Sequence, residues 1–579
     1  MERERWSWPL WTDETDGVIE VLRNRHLLLP VALLLGAQVL IGPASAQIPS
    51  SGAVSQHNIH SEGNAANLGG NAMDYFERRL PDGTFKRYAV AATHGNGFDI
   101  VDVTDPLSPS HVTSYATPGL NYHPWVQVNG PRNIVAISIE EPADNLPNGS
   151  VAHGGSNGIE FVDISDLTKP VQLSLVPEIP GCSSLGPLPA RCSRLGASSA
   201  LRGPHTIRMI GPNHIYTTLP TFIIDYTDPT APVNLEQKSV PGMGLLCGHE
   251  FAPDQNIPGR TYVGICGNVG KWAILDTSDP ANPQLIHEER DLRVEYAHEV
   301  FPAPDSSFVG VGDFRTGNAG GQSYTRCPGG GIHFYDISGK YIPGASVTSP
   351  QKMGAWFAPF TGAAELAPIP ATTNPNWGPC NLHSLQFHPE RLMVVVGLYM
   401  GGSWVLDPTA ATAPGGEYQE YSESPNPGLG PTTWGNTKGN FVAEGDMVNA
   451  AQWLPFDIPI AKDHYYTNGL FRGLDILHYE AAVPKKISRL RIDASATGGV
   501  VSGVLDRYAV LTHEGWVNKP LGGKTVEIRS GGTTLLTITA ADGSFSANLG
   551  LSGGSHEVTV TWAGDDDFGT SSLTRQVSA

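Results

Sequence analysis

Five histidines stand at the start of short β-rich runs that are spread along the chain. The runs are Tyr122-His123-Pro124-Trp125, Pro204-His205-Thr206-Ile207, Gly248-His249-Glu250-Phe251, Ala297-His298-Glu299-Val300 and Leu382-His383-Ser384-Leu385. Neutral imidazoles that converge on one point suit iron, copper or zinc. Glu250 and Glu299 directly follow two of the histidines and could orient the rings as an outer shell. The pattern predicts a transition-metal centre, and such a centre would support oxidase or oxygenase chemistry.

The same histidines also have a structural interpretation. In a repeat protein, an imidazole at the start of a unit can lock neighbouring units by bonding to an aspartate near a turn. The chain offers such partners in Asp102, Asp163, Asp225, Asp276 and Asp336. Because side chains alternate along a strand, only the histidine or the residue after it can face a central channel. A seventh segment, Ala450-Ala451-Gln452-Trp453, has Trp453 in the corresponding context and interrupts the series.

The elements that must position these histidines are short strands in a repeating unit. The chain has 67 Gly and 47 Pro among 579 residues, and its Val, Ile, Thr, Tyr and Phe recur in alternating runs. A short run of mostly apolar residues that ends in aspartate recurs as seven regularly spaced copies, at Asp102, Asp163, Asp225, Asp276, Asp336, Asp407 and Asp475. Four strands per unit and seven units predict an all-β fold, a seven-bladed β-propeller.

Two of the repeats resemble a known family. The segments Ile100-Val101-Asp102-Val103-Thr104-Asp105-Pro106 and Phe161-Val162-Asp163-Ile164-Ser165-Asp166 resemble the LVIVD repeat of bacterial and archaeal secreted or surface proteins. The resemblance extends over about residues 55 to 480 and is strongest in the first four units. It implies a propeller, to which we assign residues 47–484, and a cell-surface or extracellular location. It names no single chemistry.

The pattern changes near the C-terminus. A basic linker is predicted at 485–492, and the alternating runs after it predict a small β-sandwich over 493–579. The segments Ala541-Asp542-Gly543-Ser544-Phe545 and Trp562-Ala563-Gly564-Asp565-Asp566-Asp567-Phe568 resemble bacterial Ig-like modules of cell-surface proteins. That resemblance implies a spacer or an adhesive module.

The N-terminus predicts export. Two arginines, an apolar stretch at 27–41 and a small-residue ending at Ala46 follow the order of a secretory signal peptide, predicted over 1–46. The acidic, Trp-rich stretch 1–22 before it is unusual and suggests that the true start lies further along. An oxidising compartment would permit the six cysteines to pair. Nearest-neighbour pairing would join Cys182 with Cys192, Cys247 with Cys266, and Cys327 with Cys380, although other connectivities remain open.

Charge and missing motifs narrow the function. A formal net charge of −20 argues against a nucleic-acid partner, which requires clustered Lys and Arg. The chain has no Gly-x-Ser-x-Gly elbow, phosphate-binding loop or His-Glu-x-x-His motif. We therefore expect a monomeric extracellular scaffold without a membrane span after signal cleavage. It would bind a protein or glycan through insertions at 140–158, 182–203 and 340–380. The metal-dependent oxidase or oxygenase is the alternative.

Overall fold

The computed structural model describes most of the chain after the predicted signal peptide. The described ranges are 54–57, 59–65, 69–93, 97–117, 124–142, 158–177, 201–202, 204–218, 221–265, 270–294, 296–314, 331–357, 382–408, 437–443, 448–456, 464–469, 473–480 and 483–579. Outside these ranges lie the predicted signal peptide 1–46 with the possibly overlong start 1–22, His123 and much of the three insertions. So do five of the cysteines, namely Cys182, Cys192, Cys266, Cys327 and Cys380.

The first three antiparallel sheets of the propeller follow two N-terminal strands, β1 (Val54–His57) and β2 (Ile59–Ala65). Sheet 1 contains β3 (Met73–Arg79), β4 (Phe85–Thr93), β5 (Gly97–Asp102) and β6 (Ser110–Tyr115). Sheet 2 contains β7 (Val126–Asn129), β8 (Ile134–Ile139), β10 (Gly158–Asp163) and β11 (Val171–Pro177), while β9 (Glu141–Pro142) pairs with β12 (Leu201–Arg202). Sheet 3 contains β13 (Ile207–Ile210), β14 (His214–Thr217), β15 (Phe222–Asp225) and β16 (Val233–Gln237).

The next two sheets repeat this order after a short ladder of β17 (Ser239–Val240) and β18 (Gly244–Leu245). Sheet 4 contains β19 (Gly248–Pro253), β20 (Arg260–Ile265), β21 (Lys271–Asp276) and β22 (Gln284–Arg290). Sheet 5 contains β23 (Ala297–Pro302), β24 (Phe308–Asp313), β25 (Gly331–Asp336) and β26 (Gln351–Phe357).

The N-terminal strands take part in the last two sheets. Sheet 6 contains β27 (Leu382–Phe387), β28 (Val394–Leu398), β29 (Gly402–Leu406) and β30 (Thr437–Ala443), with β1 as a fifth strand. Sheet 7 contains β31 (Val448–Trp453), β32 (His464–Gly469) and β33 (Gly473–Tyr479), and β2 supplies its fourth strand. The start of the described chain is thereby joined to the end of the repeat region.

The sheets are arranged as the blades of a β-propeller. The first strand of each sheet contacts the first strand of the next, from β3 and β7 through to β27 and β31. Apolar clusters fill the spaces between neighbouring sheets. One such cluster contains Met73 and Tyr75 of sheet 1 together with Tyr466 and Leu474 of sheet 7. The predicted all-β propeller repeat is confirmed, and the helices among the described residues are short 3-10 turns at Gly130–Arg132 and Tyr399–Gly401. The described chain has no helix with the length and apolar character needed to span a membrane.

Aspartates build the turns after the third strands. Oδ1 of Asp102 accepts a hydrogen bond from the backbone amide of Thr104, two residues on, at 3.0 Å. Asp163, Asp225, Asp276 and Asp336 accept the equivalent bond. The predicted turn chemistry is confirmed. In each of these turns the Oδ1 atom of the aspartate is used within the turn itself.

A second β module follows the propeller. One of its sheets contains β34 (Ser488–Ile492), β35 (Val500–Thr512), β36 (Gly515–Pro520) and β39 (Ser544–Asn548). The other contains β37 (Thr525–Ser530), β38 (Thr533–Ile538), β40 (Ser555–Trp562) and β41 (Ser571–Ser578). The two sheets share one apolar core. The predicted linker 485–492 is corrected, because β34 pairs with β35 and belongs to the module.

Candidate metal centre

Three first strands share a β-bulge at their histidine. In β23 the residues on either side of His298 pair with two adjacent residues of β24, so His298 is the extra residue. The same shift occurs in β27 at His383, and β19 has one extra residue at His249 and Glu250. Because a bulge interrupts the alternation of side chains, a histidine and the residue after it no longer have to lie on opposite faces.

The bulges correct two expectations from the sequence. Strict alternation would have separated His249 from Glu250, yet both residues belong to one cluster of possible ligand atoms. In β31 the shift falls at Asn449, between Val448 and Ala450. By register, Asn449 is therefore the seventh counterpart of the histidines, and Trp453 is not. Both corrections depend on pairing with a neighbouring strand, which a single run of sequence does not reveal.

Four of the five predicted histidines form a continuous arc of rings. The ring centroids of His205 and His249 are 5.4 Å apart, those of His249 and His298 are 3.9 Å apart, and those of His298 and His383 are 4.9 Å apart. Aromatic side chains flank the arc at Tyr296, Phe314 and Tyr399. The fifth predicted member, His123, lies outside the described residues.

The middle of the arc contains a possible donor set for a metal. His249, Glu250 and His298 each offer one ligand atom, all three atoms lie within 4.8 Å of one another, and all three residues are buried. His298 Nδ1 is 3.6 Å from Glu250 Oε1. Two ligand atoms at tetrahedral zinc distances are about 3.3 Å apart, so this separation is close to what one ion requires. Two imidazoles and one carboxylate also form the donor set of non-haem iron sites.

Glu140 is a neighbour of the arc that the sequence analysis missed. Its two carboxylate oxygens lie 3.2 and 3.1 Å from Nδ1 of His205, and only 1 % of Glu140 is exposed. Burial lowers the pKa of His205 to about 4, so the imidazole is neutral at pH 7. A buried carboxylate on one ring nitrogen fixes the tautomer and leaves the other nitrogen for a ligand. An acidic residue at the end of the apolar run Ile134–Ile139 was the available sequence signal.

A pair of buried carboxyl groups borders the arc. Burial raises the pKa of Glu250 to about 8, although the positive charge of Arg208 opposes the shift. Burial and the charge of Glu250 raise the pKa of Glu299 well above its usual value. The pair, with Arg208, lines a cavity of about 950 Å³ inside the propeller. At neutral pH the metal-free protein therefore holds protons on these carboxyl groups, and a bound cation would favour their release.

We expect the metal-free protein to lose stability as pH rises from 6.5 to 8. In this window the unfolded chain has already ionised its glutamates, whereas the folded protein keeps Glu250 and Glu299 protonated, so unfolding releases protons. His205 opposes this trend only weakly and near pH 6.5, where the unfolded chain is about half protonated at this residue and the folded imidazole is neutral. For Glu250 the loss should be about 1 to 2 kcal/mol over the window, and Glu299 adds a loss of the same sign. Urea unfolding of chelator-treated protein measures it, and a Glu299→Gln variant should show a shallower pH dependence. A free energy of unfolding that rises across the window would contradict the shifts.

One of the predicted disulfide cysteines is described. Cys247 is disulfide-bonded. The predicted pairing with Cys266 remains a prediction, as do the pairs Cys182 with Cys192 and Cys327 with Cys380, because these partners lie outside the described residues.

A match to a repeat-family model agrees with the propeller fold. The model of the LVIVD repeat family matches residues 87–117, which include most of β4 and all of β5 and β6 in sheet 1. No curated protein matches the chain. Among solved structures, the chain is similar to the Cps50 (Swd1) β-propeller domain of Myceliophteria thermophila. The two are 9 % identical, with a TM-score of 0.38 over 72 % of this chain and 99 % of that chain. Together the sheets and the family match support an all-β propeller protein in which residues 87–117 match the LVIVD repeat model.

Proposed function

We propose that this chain is an exported propeller that binds a divalent transition metal at a site formed by His249, Glu250 and His298. The observation that carries the proposal is the convergence of three buried ligand atoms from two neighbouring first strands. Iron, copper and zinc all suit this donor set. We further propose seven closed blades, an Ig-like C-terminal module, and secretion as a monomer after removal of 1–46.

Some residues of the site would bind the metal, and others would position the ligands. His249 and His298 would donate imidazole nitrogens, and Glu250 would donate a carboxylate oxygen instead of the orienting role predicted from the sequence. His205, held by Glu140, and His383 flank this set and are the next candidates for ligands. Glu299 would stay beside Glu250 as a hydrogen-bonding neighbour. A bound transition metal would supply Lewis-acid or redox chemistry at this position.

The test of the donor set is elemental analysis of protein reconstituted with zinc, iron or copper and then desalted. We expect about one metal ion per wild-type chain and a large loss in a Glu250→Gln variant, because an amide is a weaker ligand than a carboxylate. A Glu160→Gln variant is the matched control, since Glu160 of sheet 2 is also fully buried but accepts a hydrogen bond from Tyr115 of sheet 1. A Glu250→Gln variant with full metal content would show that Glu250 only orients other ligands. Wild-type protein without metal would overturn the proposal.

Binding of an extracellular protein or glycan is the broader proposal, and the propeller fold supports a binding or scaffold role in general. Oxidase or oxygenase activity is the narrower proposal, because it requires the metal that His249, Glu250 and His298 would bind. Elemental analysis for bound metal is therefore the first experiment that separates these two proposals. A chain that binds no transition metal retains the binding proposal and loses the oxidase and oxygenase proposal.

A further inference from the structure

The cavity inside the propeller is not enclosed by the propeller alone. Its wall includes Arg208, Glu299 and Gln386 from three first strands, and Leu511 and Trp516 from the C-terminal module. The histidines stand at the starts of the first strands. The opposite ends of these strands face the module, because Asn256 after β19 and Glu390 after β27 both bond to it. The cavity therefore lies between the glutamate pair and the hairpin of β35 and β36.

The hairpin is inserted between sheets 1 and 7. Leu511 belongs to the apolar cluster shared by these two sheets, and its amide donates a hydrogen bond to Pro455 O at 3.0 Å. The amide of His513 donates to Glu77 Oε1 at 3.2 Å, and the His513 ring lies 5.0 Å from the ring of Phe85. These contacts hold the tip of the hairpin against sheets 1 and 7, beside the cavity.

Polar contacts hold the module against two further sheets of the propeller. In sheet 4, Asn256 Oδ1 accepts hydrogen bonds from the amide of Ala509 and from Asn518 Nδ2, both at 3.0 Å. In sheet 6, Glu390 accepts hydrogen bonds from the guanidinium of Arg507 and forms an ion pair with Lys486 at 3.1 Å. Glu390 is 6 % exposed, so removal of one partner would leave a buried charge. The module wall is thus a fixed part of the cavity.

The polar groups in the wall define the chemistry of an occupant. Glu299 Oε1 and Gln386 Oε1 are buried and have no hydrogen-bond partner among the described residues. Glu299 as a whole is 2 % exposed. Gln386 Oε1 can only accept a hydrogen bond, whereas the protonated carboxyl of Glu299 can accept or donate one. An occupant with hydroxyl groups would therefore be stabilised there, because buried polar atoms without partners cost free energy.

The charges in the wall exclude two of the three classes of donor-rich ligand. A cation would be repelled by Arg208, whose guanidinium is held in the wall by a 2.8 Å hydrogen bond to Phe251 O. An anion would be repelled by Asp74, which also lines the cavity and stays mostly ionised at pH 7 because burial raises its pKa only to about 6. A neutral polyol meets neither penalty, since each hydroxyl both donates and accepts. The indole of Trp516, 38 % exposed at the module side, offers a flat apolar face for the C–H face of a sugar ring.

We propose that the cavity between the propeller and the C-terminal module is a binding site for a small neutral saccharide. The propeller supplies the hydrogen-bonding groups, and the module supplies the apolar wall. The volume of about 950 Å³ lies at the upper end of the range for small-ligand pockets. This site borders the metal centre through Glu250, which lines the cavity, but it does not require a metal. It gives the module a role other than the spacing or adhesion that its Ig-like resemblance implies.

The test is calorimetric titration of the full chain, treated with a chelator, with five sugars of nearly equal size. Glucose, galactose and mannose are the neutral probes, glucosamine is the cationic probe and glucuronate is the anionic probe. We expect at least one neutral hexose to bind at least tenfold more tightly than either charged probe. Tighter binding of a charged probe, no binding of any probe, or binding that appears only after metal is added would each overturn the proposal. The last result would move the ligand to the metal centre.

Variants locate the site. Trp516→Ala and Gln386→Leu should each weaken binding of the best hexose at least tenfold. Leu536→Ala is the matched control, because Leu536 is an exposed apolar residue of the module outside the cavity lining and should leave affinity unchanged. Trp516 is partly exposed, so its variant should retain the wild-type melting temperature. A folded Trp516→Ala protein with unchanged affinity would show that the module is not part of the site.

Discussion

A His298→Ala variant is expected to purify as folded protein without metal. His298 lies at the centre of the arc, with its ring 3.9 Å from that of His249 and 4.9 Å from that of His383. Its removal takes away one of three proposed ligands and the neighbour of Glu250. Loss of one ligand from a three-residue site should weaken metal affinity by at least about 100-fold, since even neighbours outside the ligand shell contribute about 10- to 100-fold.

The measurement is competition with a chromophoric chelator, accompanied by elemental analysis and circular dichroism. His214→Ala is the control, because His214 lies on β14 outside the arc and should leave metal affinity unchanged. His298→Asn, which better preserves the volume of the side chain, serves if the alanine variant fails to fold. A folded variant of either kind that retains the wild-type metal affinity would remove His298 from the ligand set.

An Asn468→Ala variant is expected to have the largest effect on stability. Asn468 is fully buried on β32 of sheet 7 and joins that sheet to sheet 1. Its Oδ1 accepts a hydrogen bond from the amide of Gly70 at 3.2 Å, and its Nδ2 donates to Ala72 O at 3.0 Å and to Ala92 O at 3.1 Å. Alanine would leave these backbone groups without the amide in a dry interior, at a cost of about 3 kcal/mol or more.

Urea unfolding of the wild-type and variant proteins measures this cost. Asn282→Ala is the matched control, because Asn282 bonds only within an exposed turn to Asp279 and should change the free energy of unfolding by less than about 0.5 kcal/mol. Equal stabilities of the Asn468→Ala and wild-type proteins would show that the contact between sheets 1 and 7 does not depend on this amide.

At the junction between propeller and module, residues that look like a turn and a linker in the sequence form long-range contacts. The segment His388-Pro389-Glu390 has the composition of a turn, and it forms a turn in the structure. Its carboxylate nevertheless binds Arg507 and Lys486, which are about a hundred residues away in the chain. The basic residues of 485–492 have the composition of a linker. Arg489 on β34 nevertheless donates hydrogen bonds to Asp506 and to the backbone oxygen of Asn256. Their partners become visible only when distant segments meet.

The amino-acid sequence alone determined the strands, the turns and the repeat. Alternating side chains and the bond from an aspartate to an amide two residues on are local properties, so they can be recognised in a short window. The tertiary structure alone decided which side chains meet. The bulges that bring His249 beside Glu250, the carboxylate of Glu140 on His205, and the docking of Leu511 between sheets 1 and 7 all depend on pairing between separate strands. These contacts join residues whose spacing in the sequence carries no periodic signal, because sheet register and packing are set by the whole fold.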